Sequence, residues 1–304
     1  MLNITFKGFI MSSISLTEKS NPDTKDIDLM SSLQIVTAIN REDQKVAPAI
    51  QKVLPQIADA VETIAQAFLN GGRLAYFGAG TSGRIGVLDA SECWPTFGVD
   101  HGMVSGYIAG GEKALRLSVE NAEDSAEMAL ADLKDFAPTT KDVVVGISAN
   151  GSPRYVATVM EQAQKIGCKT IAVTSNPNAL IKNFSDIFIN PIVGEEAITG
   201  SSRMKSGTSQ KMVLNMLSTG AMIRIGKTYQ NYMIDLRVLN EKLQQRAIRF
   251  VTEIAGITEK EAAEYLKQTD NNVKLACVIA IKKCDIKEAE KLLQQANGIL
   301  RKVI

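Results

Sequence analysis

The sequence of 304 residues contains a single histidine, His101, and only four cysteines, which are scattered along the chain. One histidine excludes a histidine-rich metal site and argues against a serine–histidine–aspartate triad. The cysteines show neither metal-ligand spacing nor a pairing pattern, which fits a reduced compartment. We therefore predict a cytoplasmic protein without a metal site.

The chain also lacks an excess of one charge and a long apolar run. Its 34 basic and 33 acidic residues give a net charge of +1, so the sequence has no electrostatic footprint of nucleic-acid binding. No apolar run is long enough to cross a bilayer. The segment 1–10 is interrupted by Lys7 and lacks the cleavage pattern of a signal peptide. We predict that neither nucleic acid nor a membrane is a partner.

Five short apolar segments predict β-strands, and helical patterns separate most of them. The strand candidates are residues 73–77, 103–108, 142–148, 169–175 and 186–190. The intervening helices are predicted near residues 82–93, 112–135 and 153–166. Such alternation indicates a parallel sheet covered by helices on both faces. We therefore predict an α/β fold, a three-layer α/β/α sandwich.

The pattern divides the chain into three segments. They are an N-terminal helical arm (1–40), a main domain (41–257) and a small all-helical C-terminal module (258–304). Pro48 and Pro55 predict a break or kink in the first helical run of the main domain. From Ser206 to Ile254 the pattern is wholly helical. The predicted N-caps of the short helices in the module are Thr258, Asn271 and Asp285.

The densest motif is Gly78-Ala-Gly-Thr-Ser-Gly83, between a predicted strand and a predicted helix. Backbone amides at a helix start suit an anion such as a phosphate. The spacing also matches a dinucleotide fingerprint, but the next strand ends without the acid that would bind the ribose. Two hydroxyls and a cation fit a terminal phosphate monoester better, and a glycine-rich turn without a ligand is the structural alternative. The candidate contacts are Gly80, Thr81, Ser82, Gly83 and Arg84.

A second polar turn, residues 148–152, follows another predicted strand. In an open α/β sheet, ligands bind outside the carboxyl ends of the strands, so two such loops can hold one phosphate. Pro153 suits the first turn of the helix that follows. An ordinary polar turn is the alternative. The candidate contacts are Ser148, Asn150, Gly151 and Ser152.

A third cluster, residues 194–211, combines acids, hydroxyls and cations just before a long predicted helix. This mixture suits a polyhydroxylated anionic ligand. The alternative is a long capping loop with solvated charges, in which Ser201, Ser206 or Thr208 caps the helix. The candidate ligand contacts are Glu196, Ser201, Ser202 and Lys205.

Two carboxylate positions are candidates for acid–base chemistry. Glu92 follows Ser82 by ten residues, about 15 Å along a regular helix that Pro95 is predicted to end. It can therefore serve the far end of a long substrate, complete a site in another subunit, or be a solvated helix acid. Glu120 and Glu123 lie one turn apart near a predicted helix start, where acidic residues occur for dipole reasons alone.

Taken together and in order, these motifs resemble the N-acetylmuramic acid 6-phosphate etherases of the sugar isomerase (SIS) superfamily. The most specific part is the segment 77–93, and it is followed in register by residues 108–112, 119–124, 199–203 and 211–219. The resemblance implies an SIS-like fold, a homodimer and cleavage of the D-lactyl ether of N-acetylmuramic acid 6-phosphate in cell-wall sugar recycling. It also implies that Glu92 is a proton donor and that Glu123 is the second active-site glutamate. Neither a metal nor a redox cofactor is implied.

Some positions depart from the family pattern. The second loop reads Asn150-Gly-Ser-Pro-Arg-Tyr155 where Ser-Gly-Arg-Thr-Pro-Tyr is usual, Asn121 replaces a glycine, and Trp94 replaces a proline. Two other functions stay open: a non-catalytic regulator that senses a sugar phosphate, and an aldose–ketose isomerase. Because Glu92 and Glu123 are both retained, the sequence favours the etherase.

Overall fold

A five-stranded parallel sheet forms the centre of the protein in the computed structural model, which describes residues 15–304. The strands are β1 (Leu74–Gly78), β2 (Val104–Ile108), β3 (Val143–Ile147), β4 (Lys169–Val173) and β5 (Ile187–Ile189), in the order β2-β1-β3-β4-β5. The predicted strands are confirmed to within two residues at each end. The segment 1–10, which we considered as a signal peptide, lies outside the described residues.

Helices cover the sheet, and further helices follow it along the chain. They are α1 (Ser32–Asp43), α2 (Val46–Gln51), α3 (Leu54–Leu69), α4 (Gly80–Phe97), α5 (Gly111–Arg116), α6 (Ala126–Phe136), α7 (Arg154–Ile166), α8 (Lys205–Arg224), α9 (Glu241–Ala255), α10 (Glu259–Gln268), α11 (Val273–Lys282) and α12 (Ile286–Gln295). The predicted break is confirmed, since α1, α2 and α3 are separate helices: Pro48 lies in the first turn of α2 and Pro55 in the first turn of α3.

Alternate residues of the strands supply two hydrophobic cores, one on each face of the sheet. Tyr76 and Val145 pack with α3, α4 and α8 on one face. Phe77 and Val144 pack with α6 and α7 on the other. All four side chains are fully buried, as expected for parallel strands covered on both faces. The predicted three-layer sandwich is confirmed.

The prediction of one helical segment over residues 112–135 is wrong. α5 ends at Arg116, a 3₁₀ turn spans Ala122–Asp124, and α6 begins after its N-cap Ser125. Asn121, just before the 3₁₀ turn, has φ +59°, a left-handed conformation that glycine adopts without strain. This explains the glycine usual at that position in the family. Consequently Glu120 and Glu123 do not share a helix face.

Pro95 does not end α4, which continues to Phe97 and stops at the left-handed Gly98. The continuous helix predicted from Ser206 to Ile254 is also wrong. A small antiparallel ribbon, β6 (Thr228–Tyr229) and β7 (Tyr232–Met233), separates α8 from α9. The left-handed Gly226 directly after α8 redirects the chain, which no helical periodicity could reveal.

The C-terminal module has its own hydrophobic core, which extends from Ile234 to Leu300 and includes α9. We therefore infer that the module begins near the β6–β7 ribbon, upstream of residue 258. Thr258 and Asp285 cap α10 and α12 as predicted. The cap of α11 is Asn272, whereas the predicted Asn271 precedes it in a left-handed conformation. Within residues 15–304, no helix is both long and apolar enough to cross a membrane.

Candidate functional site

The strand order creates a crevice at the carboxyl edge of the sheet. The chain moves from β1 outward to β2 and then returns to the other side of β1 as β3. Ligands of open α/β sheets bind at such a reversal, outside the carboxyl ends of the strands. Gly78 at the end of β1 pairs with Ile147 at the end of β3. The loops 79–83 and 148–152 therefore emerge side by side at this crevice.

The glycine-rich loop opens directly into α4. Gly80 has φ +55°, and a Cβ on Gly83 would lie 2.6 Å from Cγ1 of Ile108, so both positions require glycine. No side chain caps the helix at Ala79. Among the described residues, the backbone amides of 80–82 and the hydroxyls of Thr81 and Ser82 make no hydrogen bond. This helix start therefore keeps a set of free donors at its positive end, which suits an anion.

The second loop is organised by its own side chains. The Gly151 amide donates to Oγ of Ser148 at 2.9 Å, and the Ser152 amide donates to Oδ1 of Asn150 at 3.1 Å. Nδ2 of Asn176, which follows β4, donates to the Asn150 carbonyl at 2.8 Å. These contacts hold the loop in one conformation beside the glycine-rich loop. Only Ser152 of these candidate residues is exposed.

The third cluster reaches the first loop through the start of α8. A Cβ on Gly207 would lie 3.4 Å from Cγ2 of Thr81 and 3.5 Å from the Ser202 carbonyl. Ser201 and Ser202, both half-buried, therefore lie next to the glycine-rich loop. The fold thus brings all three predicted clusters to one edge of the sheet.

Glu196, by contrast, is occupied inside the protein. Its fully buried carboxylate accepts hydrogen bonds from the backbone amides of Lys205 at 2.8 Å and Ser206 at 2.9 Å. It therefore caps α8 from a distance of nine residues. The predicted capping by Ser201, Ser206 or Thr208 is wrong: the N-cap residue is Met204, and no side chain of the helix start itself provides the cap.

Lys205 is also occupied inside the protein. Its ammonium lies 2.6 Å from the carboxylate of Glu42 in α1, and both side chains are only 1% exposed. Lys45 contacts the other oxygen of Glu42 at 2.6 Å. Burial would raise the pKa of Glu42, but the hydrogen bonds from Lys205 and Lys45 outweigh this effect and lower it to about 2. We infer that Glu196 and Lys205 support the site without facing its ligand.

Glu123 lies beside the glycine-rich loop. A cavity of about 310 Å³, large enough for a small ligand, is lined by residues of both segments. Among them are Gly80, Arg84 and Glu123. The Arg84 guanidinium does not point freely at the loop: Nε donates to the Leu115 carbonyl at 3.0 Å, and Nη2 donates to that of Leu117 at 3.4 Å.

Glu92 lies elsewhere on α4. It is exposed, about three turns from the glycine-rich loop, and does not line the cavity that contains Glu123. Its spacing places it on the same helix face as Thr81, Ile85 and Leu88. Leu88 is 53% exposed. Within one chain, the two candidate catalytic carboxylates therefore do not meet.

Sequence reasoning missed two polar residues near the site. Asp89, buried in α4, accepts hydrogen bonds from Tyr76 at 2.9 Å, Asn215 at 2.6 Å and Ser218 at 3.1 Å, and thereby joins β1, α4 and α8. An acid on the apolar face of a predicted helix was the available signal. The hydroxyl of Ser175, buried just after β4, has no partner among the described residues, and no sequence signal distinguishes it.

Comparisons with known proteins show the family of the chain. The chain is 52% identical over 289 residues, 95% of its length and 94% of the relative's, to an N-acetylmuramic acid 6-phosphate etherase of Vibrio campbellii. The chain belongs to the N-acetylmuramic acid 6-phosphate etherase family. An etherase of the same name from Yersinia pestis is 50% identical over 94% of the chain and 97% of the relative.

Family models describe parts of the chain. Residues 121–220 match the SIS domain, and residues 56–164 match the N-terminal SIS domain of glucokinase regulatory protein. Residues 230–274 match the C-terminal lid domain of that regulatory protein. A proposed phosphosugar isomerase involved in capsule formation from Bacteroides fragilis is 21% identical, with a TM-score of 0.51 over 67% of this chain and 98% of that one. This likeness supports the fold.

Proposed function

We propose that this protein cleaves the D-lactyl ether of N-acetylmuramic acid 6-phosphate, giving N-acetylglucosamine 6-phosphate and D-lactate. Membership of the etherase family is the observation on which the proposal rests. The cavity that joins the glycine-rich loop to Glu123 supports it, because a phosphate held at the start of α4 brings a sugar next to a carboxylate. A role in recycling cell-wall sugar, in the cytoplasm, follows from the same substrate.

The proposed reaction is an elimination followed by hydration. Opening of the sugar ring exposes a C1 aldehyde, which acidifies the proton on C2. One carboxylate removes that proton, the electron pair forms the C2=C3 bond, and the C3–O bond breaks as a carboxylic acid protonates the lactyl oxygen. Water then adds its oxygen to C3 and a proton to C2. The residues proposed for the two proton transfers are Glu92 and Glu123.

We further propose that the protein is a homodimer and that Glu92 completes the site of the partner copy. Glu92 and the loop at Ser82 are about 15 Å apart along one helix, which exceeds the length of a monosaccharide phosphate. Exposed apolar side chains near α4 and α1 support an interface. They are Leu88 at 53%, Leu29 at 80% and Leu33 at 75% exposure.

A mixing experiment tests both proposals. E92Q and E123Q, purified separately with different affinity tags, should each release D-lactate from N-acetylmuramic acid 6-phosphate at least about 100-fold more slowly than the wild type. After subunit exchange, heterodimers should recover activity, since one of their two sites combines two intact glutamates. At full exchange we expect about a quarter of the wild-type rate.

The outcomes separate the alternatives. Isolated heterodimers without activity would contradict the shared site while leaving the etherase proposal intact. A folded wild type that releases no D-lactate would contradict the etherase proposal. Binding of the sugar phosphate without turnover would then favour a regulator, to whose domains the chain is also similar. E127Q, which alters an exposed carboxylate on α6, is the matched control and should turn over normally.

A further inference from the structure

Arg84 has an unexpected set of partners for a residue in a phosphate-binding motif. It directly follows the first turn of α4, yet its guanidinium donates to two backbone carbonyls, those of Leu115 and Leu117, at the end of α5. The last carbonyls of a helix have no partner within that helix, and a cation there also interacts favourably with the helix dipole. Arg84 therefore supplies, from another helix, the C-terminal cap of α5.

The segment between β2 and α6 depends on this contact. α5 has only six residues, too few to be stable by itself. Gly110, directly before it, and Gly111, its first residue, both have positive φ, and the left-handed Asn121 interrupts the chain after it. The buried residues of the segment 109–123 all have small side chains: they are Ala109, Ala114 and Ala122. Apart from these alanines, the half-buried Val119 packs against the hydrophobic core, so the segment has little apolar surface with which to fix its own position.

Glu123 lies at the end of this segment, only six residues after Leu117. Its side chain is exposed, and no ion pair holds its carboxylate among the residues that the structure describes. Its position is therefore set by its backbone. The same backbone is tied to α4 by Arg84, one residue after the glycine-rich loop that we propose binds the phosphate.

We propose that Arg84 is a positioning residue: it holds the backbone that presents Glu123 at a fixed place relative to the phosphate-binding loop. This inference rests on the proposed etherase function. It replaces our sequence-based prediction that Arg84 contacts the phosphate itself. A displacement of about 1 Å between a bound substrate and its catalytic group can cost about 100-fold in rate, so the contact matters for turnover more than for affinity.

R84Q and R84K test the proposal against a direct phosphate contact. Both variants should lower kcat at least tenfold and change the KM for N-acetylmuramic acid 6-phosphate and the Kd for N-acetylglucosamine 6-phosphate less than threefold. Lysine fails as well because a single ammonium cannot span two carbonyls as the guanidinium fork does. A Kd raised tenfold or more in R84Q, with kcat retained, would overturn the proposal in favour of a phosphate ligand.

Two further measurements distinguish a positioning role of Arg84 from a general loss of folded structure in the variant. Adding R84Q to E123Q should not slow the residual turnover of E123Q further, whereas independent contributions would multiply. Amide hydrogen exchange in residues 117–125 should accelerate in R84Q while α7 and β3 keep wild-type protection. Unchanged exchange in 117–125 would overturn the proposal.

R116Q is the matched control, because it removes an exposed cation from the end of the same helix. It should keep wild-type kcat and wild-type exchange. Equal losses in R116Q and R84Q would overturn the proposal. If the wild type released no D-lactate, the function would fail, and the exchange measurement would still decide whether Arg84 holds the segment.

Discussion

Two helices, α4 and α8, begin beside each other at the carboxyl edge of the sheet, and their first turns differ in one respect. At α8, the buried carboxylate of Glu196 already accepts the amides of Lys205 and Ser206. At α4, the corresponding amides after Ala79 have no side-chain cap. One helix start is closed by an internal anion, and the other is open to an external one.

This difference shows what a helix start needs in order to bind a ligand. Both helices follow polar loops that contain glycine and hydroxyl residues, so their sequences suggest the same chemistry. The free backbone amides at the start of α4 can donate hydrogen bonds to a phosphate at once. Those at the start of α8 would first have to break their hydrogen bonds to Glu196. We therefore propose that α4 binds the anion and that α8 has a supporting role.

The largest expected effect concerns the ion pairs beneath α8. E42Q would leave the buried ammonium of Lys205 without its counter-charge, which should lower the free energy of unfolding by about 3–5 kcal/mol at pH 7. Urea denaturation measures this. The control is D43N, which alters the exposed carboxylate next to Glu42 in the sequence. We expect its free energy of unfolding to change by no more than about 0.5 kcal/mol.

The same contact predicts a pH dependence. The pKa of Glu42 is lowered from 4.5 to about 2 in the folded protein. Its contribution to stability is therefore complete above pH 4.5 and is lost as the pH falls toward 2. The difference between the wild type and E42Q should shrink through that window. A difference that stayed constant down to pH 2 would contradict the assignment.

A smaller effect is expected at the cap of α8. E196Q removes the charge that stabilises two backbone amides and should cost about 1–3 kcal/mol of unfolding free energy. Thermal or urea denaturation of E196Q and of E195Q, its sequence neighbour, makes the comparison direct. Equal losses in the two variants would show that Glu196 has no special role as a cap.

The smallest expected change in free energy concerns ligand binding and should leave the stability of the protein almost unchanged. T81V, at the open start of α4, should raise the Kd for N-acetylglucosamine 6-phosphate about tenfold, equivalent to about 1.4 kcal/mol, because a hydrogen bond to the phosphate is lost. Its stability should change by less than about 0.5 kcal/mol. T208V makes the same isosteric change at the closed start of α8, and calorimetry should find its affinity unaltered. An affinity loss in T208V equal to that in T81V would remove the distinction between the two helix starts.

Much of the architecture was predictable from the sequence because it depends on local patterns. Segments such as Val143–Ile147 are continuous apolar runs, as expected for strands buried on both faces. The chain order of strands and helices specified a parallel sheet. Where one residue in a left-handed conformation redirects the chain, as at Asn121 and Gly226, periodicity failed. The helical spacing of apolar residues continues through such positions, although the backbone leaves the helical conformation there.

The site was predictable only as a set of candidate residues. Hydroxyls and amides at three loops indicated an anionic ligand, and their convergence followed from strand order. The partners of individual side chains did not follow, because they come from distant parts of the chain: Glu42 contacts Lys205 across 163 positions, and Arg84 contacts the carbonyl of Leu115 across 31.

By itself, the sequence determined the layered α/β fold, the family and the two glutamates proposed for catalysis, since each depends on the identity and order of residues. Only the tertiary structure decided which helix start is open and which is closed. A hydrogen bond depends on positions within about 3 Å, and the folded backbone alone brings Glu196 to one helix start while leaving the other free.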